Sequence, residues 1–268
     1  MFSATLIRSK PVVANAIRFN HVKVALVTGS TTGMGRAMAF RFAKEGYNVA
    51  ITGLGAKEDI DSELKELRDL GVKAEFVSAN LMKSDECKAL INDTLSHFGR
   101  IDVVVNNAGM QHVSPIEDFA DEKWDNVIAL NLSSCFHTTK AVLPAMRKQN
   151  FGRIINIASL HGLVASVNKS AYVAAKHGLL GLTKAVALET AQENITCNAI
   201  CPGWVYTPLV AEQIAARAKA KGVSFDEEKV RLVSEKHPSG RFVEVEDLAS
   251  MTLFLASDSA KEIRGASY

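Results

Sequence analysis

VKVALVTGSTTGMGRAMAFRFAKEGYNVAITGL, residues 22–54, decides the fold. VKVALVTG (22–29) is apolar and β-branched and reads as a strand. GMGRAMAFRFAKEGY (33–47) reads as a helix, and NVAITGL (48–54) is strand-like again. The turn between the first strand and the helix holds Gly29, Gly33 and Gly35. Gly29 permits a tight turn, while Gly33 and Gly35 let backbone approach a pyrophosphate at the helix N-terminus. The spacing is GxxxGxG rather than the commoner GxGxxG, so on this stretch alone a plain glycine-rich turn stays open.

The alternation continues outward. KEDIDSELKELRDLG (57–71) is a charged helical stretch, and KAEFVSA (73–79), IDVVVNN (101–107), GRIINIAS (152–159) and ITCNAICP (195–202) repeat the strand pattern. Near-continuous Val/Ile runs suit parallel strands covered on both faces. Right-handed crossovers then predict a doubly wound parallel α/β sheet of Rossmann type, one domain over 22–268. Residues 204–240 break the rhythm with a long, charged, mostly helical excursion from the carboxyl end of a strand, read as a lid over the site.

Bulk properties exclude several classes. The 268 residues are 47% hydrophobic and 22% charged, with a net charge of +2 and no basic stripe, so no nucleic-acid partner is expected. No apolar run approaches the roughly 18 residues of a membrane span, so no membrane partner is expected either. Cys87, Cys135, Cys197 and Cys201 form no CxxC pair. In an extended strand Cys197 and Cys201 stand about 13 Å apart, and a disulfide needs Cα atoms within about 7 Å. Free thiols in a reducing compartment follow. The leader (1–21) carries Arg8, Lys10 and Arg18, and the first acidic residue of the chain is Glu45. Such a basic, Ser-containing stretch resembles a mitochondrial transit peptide, although Pro11 interrupts any long amphipathic helix. The mitochondrial matrix and the cytoplasm both stay open, as does a plain N-terminal extension.

NNAG (106–109) ends the fourth strand, Ser159 ends the fifth, and KSAYVAAKHG (169–178) sets Tyr172 between two lysines. Lys169 lies three residues before Tyr172 and Lys176 four after, so helical spacing turns both toward the tyrosine. TGSTTGMG (28–35), NNAG, Asn131 within a helix, Ser159, YVAAK (172–176) and PG (202–203) occur in the order of the short-chain dehydrogenase/reductase family. The resemblance covers the chain from Val22 onward. It implies a catalytic set of Asn131, Ser159, Tyr172 and Lys176, no metal, and NAD as cofactor. The NAD cradle it implies comprises Thr28, Gly29, Thr31, Gly33, Met34 and Gly35, then Asn80, Leu81, Asn107, Ala108 and Gly109. Tyr172, Lys176, Pro202, Gly203, Val205 and Thr207 complete it.

The residue types suit the chemistry. A free tyrosine titrates near ~10 and is a poor base at neutral pH; lowering it about three units takes ~4 kcal/mol. A lysine cation about 4 Å away, at an effective dielectric of about 20, supplies a term of that order. The resemblance gives Lys176 a second task on the nicotinamide ribose, lets Ser159 hold the substrate oxygen, and has Asn131 order a water that connects Lys176 to solvent. Ser159 could equally be a helix cap, Asn131 a helix-bending polar residue and Tyr172 a core aromatic.

Cofactor choice is not written in charge. The second strand ends TGLG (52–55), without the acid that would grip a ribose 2′-OH, and the nearest basic residue to the glycine turn is Arg36. Asn80 stands where many relatives carry an aspartate that contacts adenine, and its amide oxygen can accept a hydrogen bond.

GMQHVSPIEDF (109–119), ASLHGLVASVNKSAY (158–172), ICPGWVYTPLV (200–210) and AEQIAA (211–216) resemble the 3-hydroxybutyrate dehydrogenase branch of the family. In that branch the matching Gln111, His161, Lys169 and Gln213 surround the substrate carboxylate, Trp204 shapes the pocket, and the assembly is a homotetramer. NAD-dependent interconversion of (R)-3-hydroxybutyrate and acetoacetate is the expectation, with another hydroxy acid or ketone as the alternative substrate. Relatives continue past KEIRGASY (261–268) through a last strand and an Asp-Gly-Gly turn. A missing last strand, an exposed neighbouring backbone and a catalytically impaired NAD-binding protein form the second alternative.

Overall fold

The computed structural model describes residues 21–235 and 237–268, so the leader reading lies, apart from His21, outside the described residues. The opening stretch folds as read, with β1 (Val24–Thr28) entering α1 (Gly33–Lys44) and then β2 (Asn48–Thr52). α2 (Lys57–Asp69), β3 (Ala74–Phe76), α3 (Ser84–Phe98) and β4 (Val103–Asn106) follow. The second half runs α4 (Asp121–Ile128), α5 (Ser134–Gln149), β5 (Gly152–Ile157), α6 (Ser170–Glu189) and β6 (Ile195–Ile200). α7 (Pro208–Lys221), α8 (Phe225–Ser234) and α9 (Val245–Ala256) complete the helices.

The strands form one parallel sheet in the order β3-β2-β1-β4-β5-β6. Strand pleating sends alternate side chains to opposite faces. Ala25 and Val27 of β1 pack with Met38 and Phe42 of α1 and Leu248 and Leu255 of α9. Leu26, one residue out of phase, packs on the other face with Leu90 and Ile91 of α3 and Val142 and Met146 of α5. Each such fully buried side chain contributes about 1.5–3 kcal/mol. Burial on both faces explains why these strands read as continuous apolar runs rather than alternating ones. The strand order reverses between β1 and β4, and the crevice beyond the carboxyl ends of those strands is where such sheets take ligands.

Several polar side chains cross the core as a connected set. Thr138 donates to Asn106 (2.7 Å), Asn106 to Asn156 (2.9 Å) and Asn156 to Thr183 (2.9 Å), a buried ladder from α5 through β4 and β5 to α6. At the opposite end of the sheet the buried Asp102 carboxylate accepts from the Val24 N–H (2.8 Å) and from Arg100 (2.8 and 2.6 Å). All four cysteines are free thiols, and only Cys201 is partly exposed. Among the described residues no helix is long and apolar enough to cross a membrane.

Two features stand at the carboxyl end of β6, and the second changes a reading. The excursion at 204–240 is two helices, α7 and α8, whose entry and exit are joined by a parallel bridge between Val205 and Val243. The edge of β6 is not left bare. Ser267 bridges Ala199, and β6 and the chain end exchange bonds from Ala199 N to Ala266 O (2.8 Å), Tyr268 N to Ala199 O (3.1 Å) and Cys201 N to Tyr268 O (2.6 Å).

Removing the Asp102 carboxylate orphans the Val24 N–H and a partly buried guanidinium at once. Asp102→Ala is expected to destabilise the fold by about 2–4 kcal/mol, measured as the change in urea midpoint at unchanged slope.

Candidate active site

The glycine turn and NNAG meet at the switch point. Gly29 has φ +62°, and a Cβ there would lie 2.9 Å from Ala108 Cα. A Cβ on Gly35 would overlap the Gly29 carbonyl and come within 2.6 Å of Asn107 Nδ2. Asn107 explains that crowding, because its amide donates to the Thr28 carbonyl (2.8 Å) and the Gly29 carbonyl (3.0 Å). The Thr28 hydroxyl accepts from the N–H groups of Asn107 (2.9 Å) and Ala108 (3.0 Å). Thr31 donates to the Leu54 carbonyl (2.6 Å), which holds the turn against the end of β2.

This turn fits a dinucleotide. Thr32, at the start of α1, provides no side-chain cap, which leaves the first N–H groups of the helix for an anion. Asn107 Oδ1 is buried and has no hydrogen-bond partner among the described residues. Two side chains near the turn are engaged within the chain. Arg36 turns away from the turn to pair with Glu66 (2.7 Å), approaches Glu63 (3.9 Å) and lies over the Phe40 ring. The Asn80 amide oxygen accepts from the Met82 N–H (3.1 Å) and keeps a second lone pair; Leu81 beside it is buried.

Asn131 sits in a π-helical turn, Ala129–Ser133, between α4 and α5. Its side chain accepts from Met110 N (2.9 Å) and donates to Met110 O (2.6 Å). Such turns widen the helix by one residue and cluster at functional sites. Gly109 makes the approach possible, since a Cβ there would lie 2.6 Å from Asn131 Oδ1 and 3.7 Å from Lys176 Nζ.

Ser159 is a cap and more. Its hydroxyl accepts from His161 N (3.1 Å) at the head of a short 3-10 turn, and it also bonds the Tyr172 hydroxyl. Lys176 is 3% exposed and donates to the Ile157 carbonyl (2.8 Å). Burial pulls its ammonium from 10.5 down to about 8, against weaker support from the Cys135 and Cys201 thiols. Tyr172 moves the opposite way to the sequence expectation. Burial pushes its hydroxyl up, and the bond from Ser159 offsets part of that. Nζ is 5.6 Å from the ring centroid and donates to Ile157, and burial is the larger of the two influences on the hydroxyl.

One cavity of about 330 Å³ gathers these groups. Its lining includes Ser159, Tyr172 and Lys176 with Met34, Asn107, Gly109, Pro202, Gly203, Val205 and Thr207 from the cofactor set. Gln111, His161, Lys169, Trp204 and Gln213, the whole of the remaining substrate set, line it as well. His161 stands edge-on to Tyr172, with ring centroids 6.0 Å apart. Thr207 caps α7 by accepting from Val210 N (3.3 Å), and α7 carries Gln213 to the cavity. Thr28, Gly29, Thr31, Gly33, Gly35, Asn80, Leu81, Ala108 and Asn131 lie outside that lining.

A family model described as short chain dehydrogenase matches residues 23–218. The chain is 49% identical to a D-beta-hydroxybutyrate dehydrogenase of Cupriavidus necator, covering 91% of this chain and 94% of the relative. It is 46% identical to the enzyme of that name in Rhizobium meliloti, covering 91% and 95%. A 3-oxoacyl-[acyl-carrier-protein] reductase of Staphylococcus aureus is 39% identical over 91% of this chain and 94% of its own. Among solved structures, an actinorhodin polyketide ketoreductase variant with NADPH superposes with TM-score 0.85 at 38% identity, covering 92% of this chain and 94% of that one.

Because the folded-state value of Lys176 lies below its unfolded 10.5, its charge destabilises the fold below about pH 8, and that cost fades as pH rises toward 10.5. At ~1.4 kcal/mol per unit the penalty is about 3 kcal/mol, less about 1 for the bond to Ile157. Lys176→Met is expected to stabilise the fold by about 2 kcal/mol at pH 7, with the gain gone by pH 10 in parallel denaturation curves.

Proposed function

The chain belongs to the short-chain dehydrogenase family, and from that premise we propose that it interconverts (R)-3-hydroxybutyrate and acetoacetate with NAD. The observation that carries this reading is the convergence of Gln111, His161, Lys169, Trp204 and Gln213 on the cavity that also holds Ser159 and Tyr172. A small hydroxy acid offers one carboxylate, one hydroxyl and a short hydrocarbon. Amides, an ammonium and an imidazole supply donors for the carboxylate, and Trp204 supplies an apolar wall.

The nicotinamide, when bound, accepts or returns the hydride. Thr28, Gly29, Thr31, Gly33, Met34 and Gly35 would hold the pyrophosphate end, with Asn80, Leu81, Asn107 and Ala108 beside them. Gly109, Pro202, Gly203, Val205 and Thr207 flank the nicotinamide end. Arg36 is engaged by Glu66 (2.7 Å) rather than left free for a 2′-phosphate, and this favours NAD over NADP. Ser159 orients the substrate oxygen beside Tyr172. Tyr172 takes the hydroxyl proton in oxidation and gives it back in reduction. Lys176 binds the ribose and holds positive charge beneath the tyrosine, and Asn131 organises the water path behind it. Residues 204–240 close over the substrate through Gln213 on α7. By the same resemblance the working form is a homotetramer.

Initial rates of NAD reduction with both 3-hydroxybutyrate enantiomers test the reading. The R form is expected to turn over and the S form not; turnover of other hydroxy acids in preference to both overturns it. Tyr172→Phe is expected to remove at least 99% of turnover, about 3 kcal/mol of barrier. Lys169→Ala is expected to raise KM for the acid by ~10–100-fold, the range of a charge-assisted hydrogen bond. Since burial keeps Tyr172 protonated, oxidation is expected to quicken and reduction to slow as pH rises.

A further inference from the structure

Trp204 lies in the connection between β6 and α7, so its aim depends on what braces that connection. Two backbone bonds join it to the segment before α9, from Val243 N to Trp204 O (2.9 Å) and from Tyr206 N to Val243 O (3.0 Å). A third brace is a side chain: the Trp204 N–H donates to His237 Nε2 at 2.9 Å. The other ring nitrogen, Nδ1, lies 3.0 Å from the Arg241 carbonyl, which can only accept. The proton therefore sits on Nδ1 and the lone pair on Nε2. The imidazole also packs against Gly203, where a Cβ would overlap Nε2 and lie 2.9 Å from Cε1.

We propose that His237 is a positioning residue of the substrate site: its Nδ1-protonated imidazole clamps the Gly203–Trp204 peptide and so aims the Trp204 ring into the cavity. This rests on the substrate site proposed above. An apolar side chain of similar size would fill the space above Gly203 but leave the Trp204 N–H without its acceptor. A glutamine keeps an acceptor oxygen within reach of that N–H.

The chain has two tryptophans, so Trp124→Phe leaves Trp204 as the sole emitter. In that background His237→Leu is expected to shift Trp204 emission to longer wavelength. It should also raise KM for (R)-3-hydroxybutyrate about tenfold, with kcat within about twofold, while His237→Gln recovers most of both. Unchanged emission and KM in His237→Leu overturns the proposal, and so does an equal loss of kcat, KM and thermal stability in both variants. Ring nitrogen NMR of the unsubstituted protein is independent of folding in any variant: an Nδ1–H tautomer at His237 supports the clamp, and an Nε2–H tautomer overturns it. Emission and tautomer need no substrate, so they remain decisive even if 3-hydroxybutyrate proves not to be turned over.

Discussion

The bond from Lys176 Nζ to the Ile157 carbonyl fixes how α6 is rotated against β5, and the site follows from that rotation. A buried ammonium must find an acceptor, because an unpaired one costs several kcal/mol. Ile157 ends β5 and supplies that acceptor. Tyr172 is one helical turn before Lys176 and therefore shares its face. Ser159 is two residues beyond Ile157, where the strand's alternation returns to the same side. One hydrogen bond thus sets the tyrosine and the serine opposite each other.

That bond is supported from behind and beside. The ladder Thr138–Asn106–Asn156–Thr183 ties α5, β4, β5 and α6 through side chains that are all buried and all partnered. Fully satisfied polar networks of this kind resist sliding, since any shift leaves a buried group unpaired. Asn106 is the first residue of NNAG, so the same ladder anchors the loop whose next residue, Asn107, holds the glycine turn. The cofactor cradle and the tyrosine are two ends of one rigid assembly.

Local pattern revealed the strands, the glycine turn and the Tyr172–Lys176 pair because each is written in neighbouring residues. What it did not reveal depends on contacts made across the chain. The π turn at Asn131 is dictated by Met110, 21 residues away. His237 meets Trp204 across 33 residues, and no periodicity marks it. Arg36 was visible as the basic residue nearest the glycine turn, but its pairing with Glu66 of α2 was not. Tyr172 shows the same limit in energy rather than geometry. The charge of Lys176 was visible in the sequence, but the depth to which Tyr172 is buried, which raises its hydroxyl, was not.

The two lysines that flank Tyr172 separate by burial and by where they sit on α6. Lys176 lies in the second turn, sealed from water, and its ammonium titrates near 8. Lys169 is the residue before the first turn and is only partly buried. A cation at a helix N-terminus opposes the helix dipole and costs the helix about 0.3–1 kcal/mol. Here that unfavourable placement adds the helix's partial positive charge to the lysine's own at the wall of the cavity. Field lines from both converge where water is partly excluded, the condition under which a carboxylate is held most firmly. In the proposed substrate assignment, the position that weakens α6 as a helix is the one that receives the carboxylate.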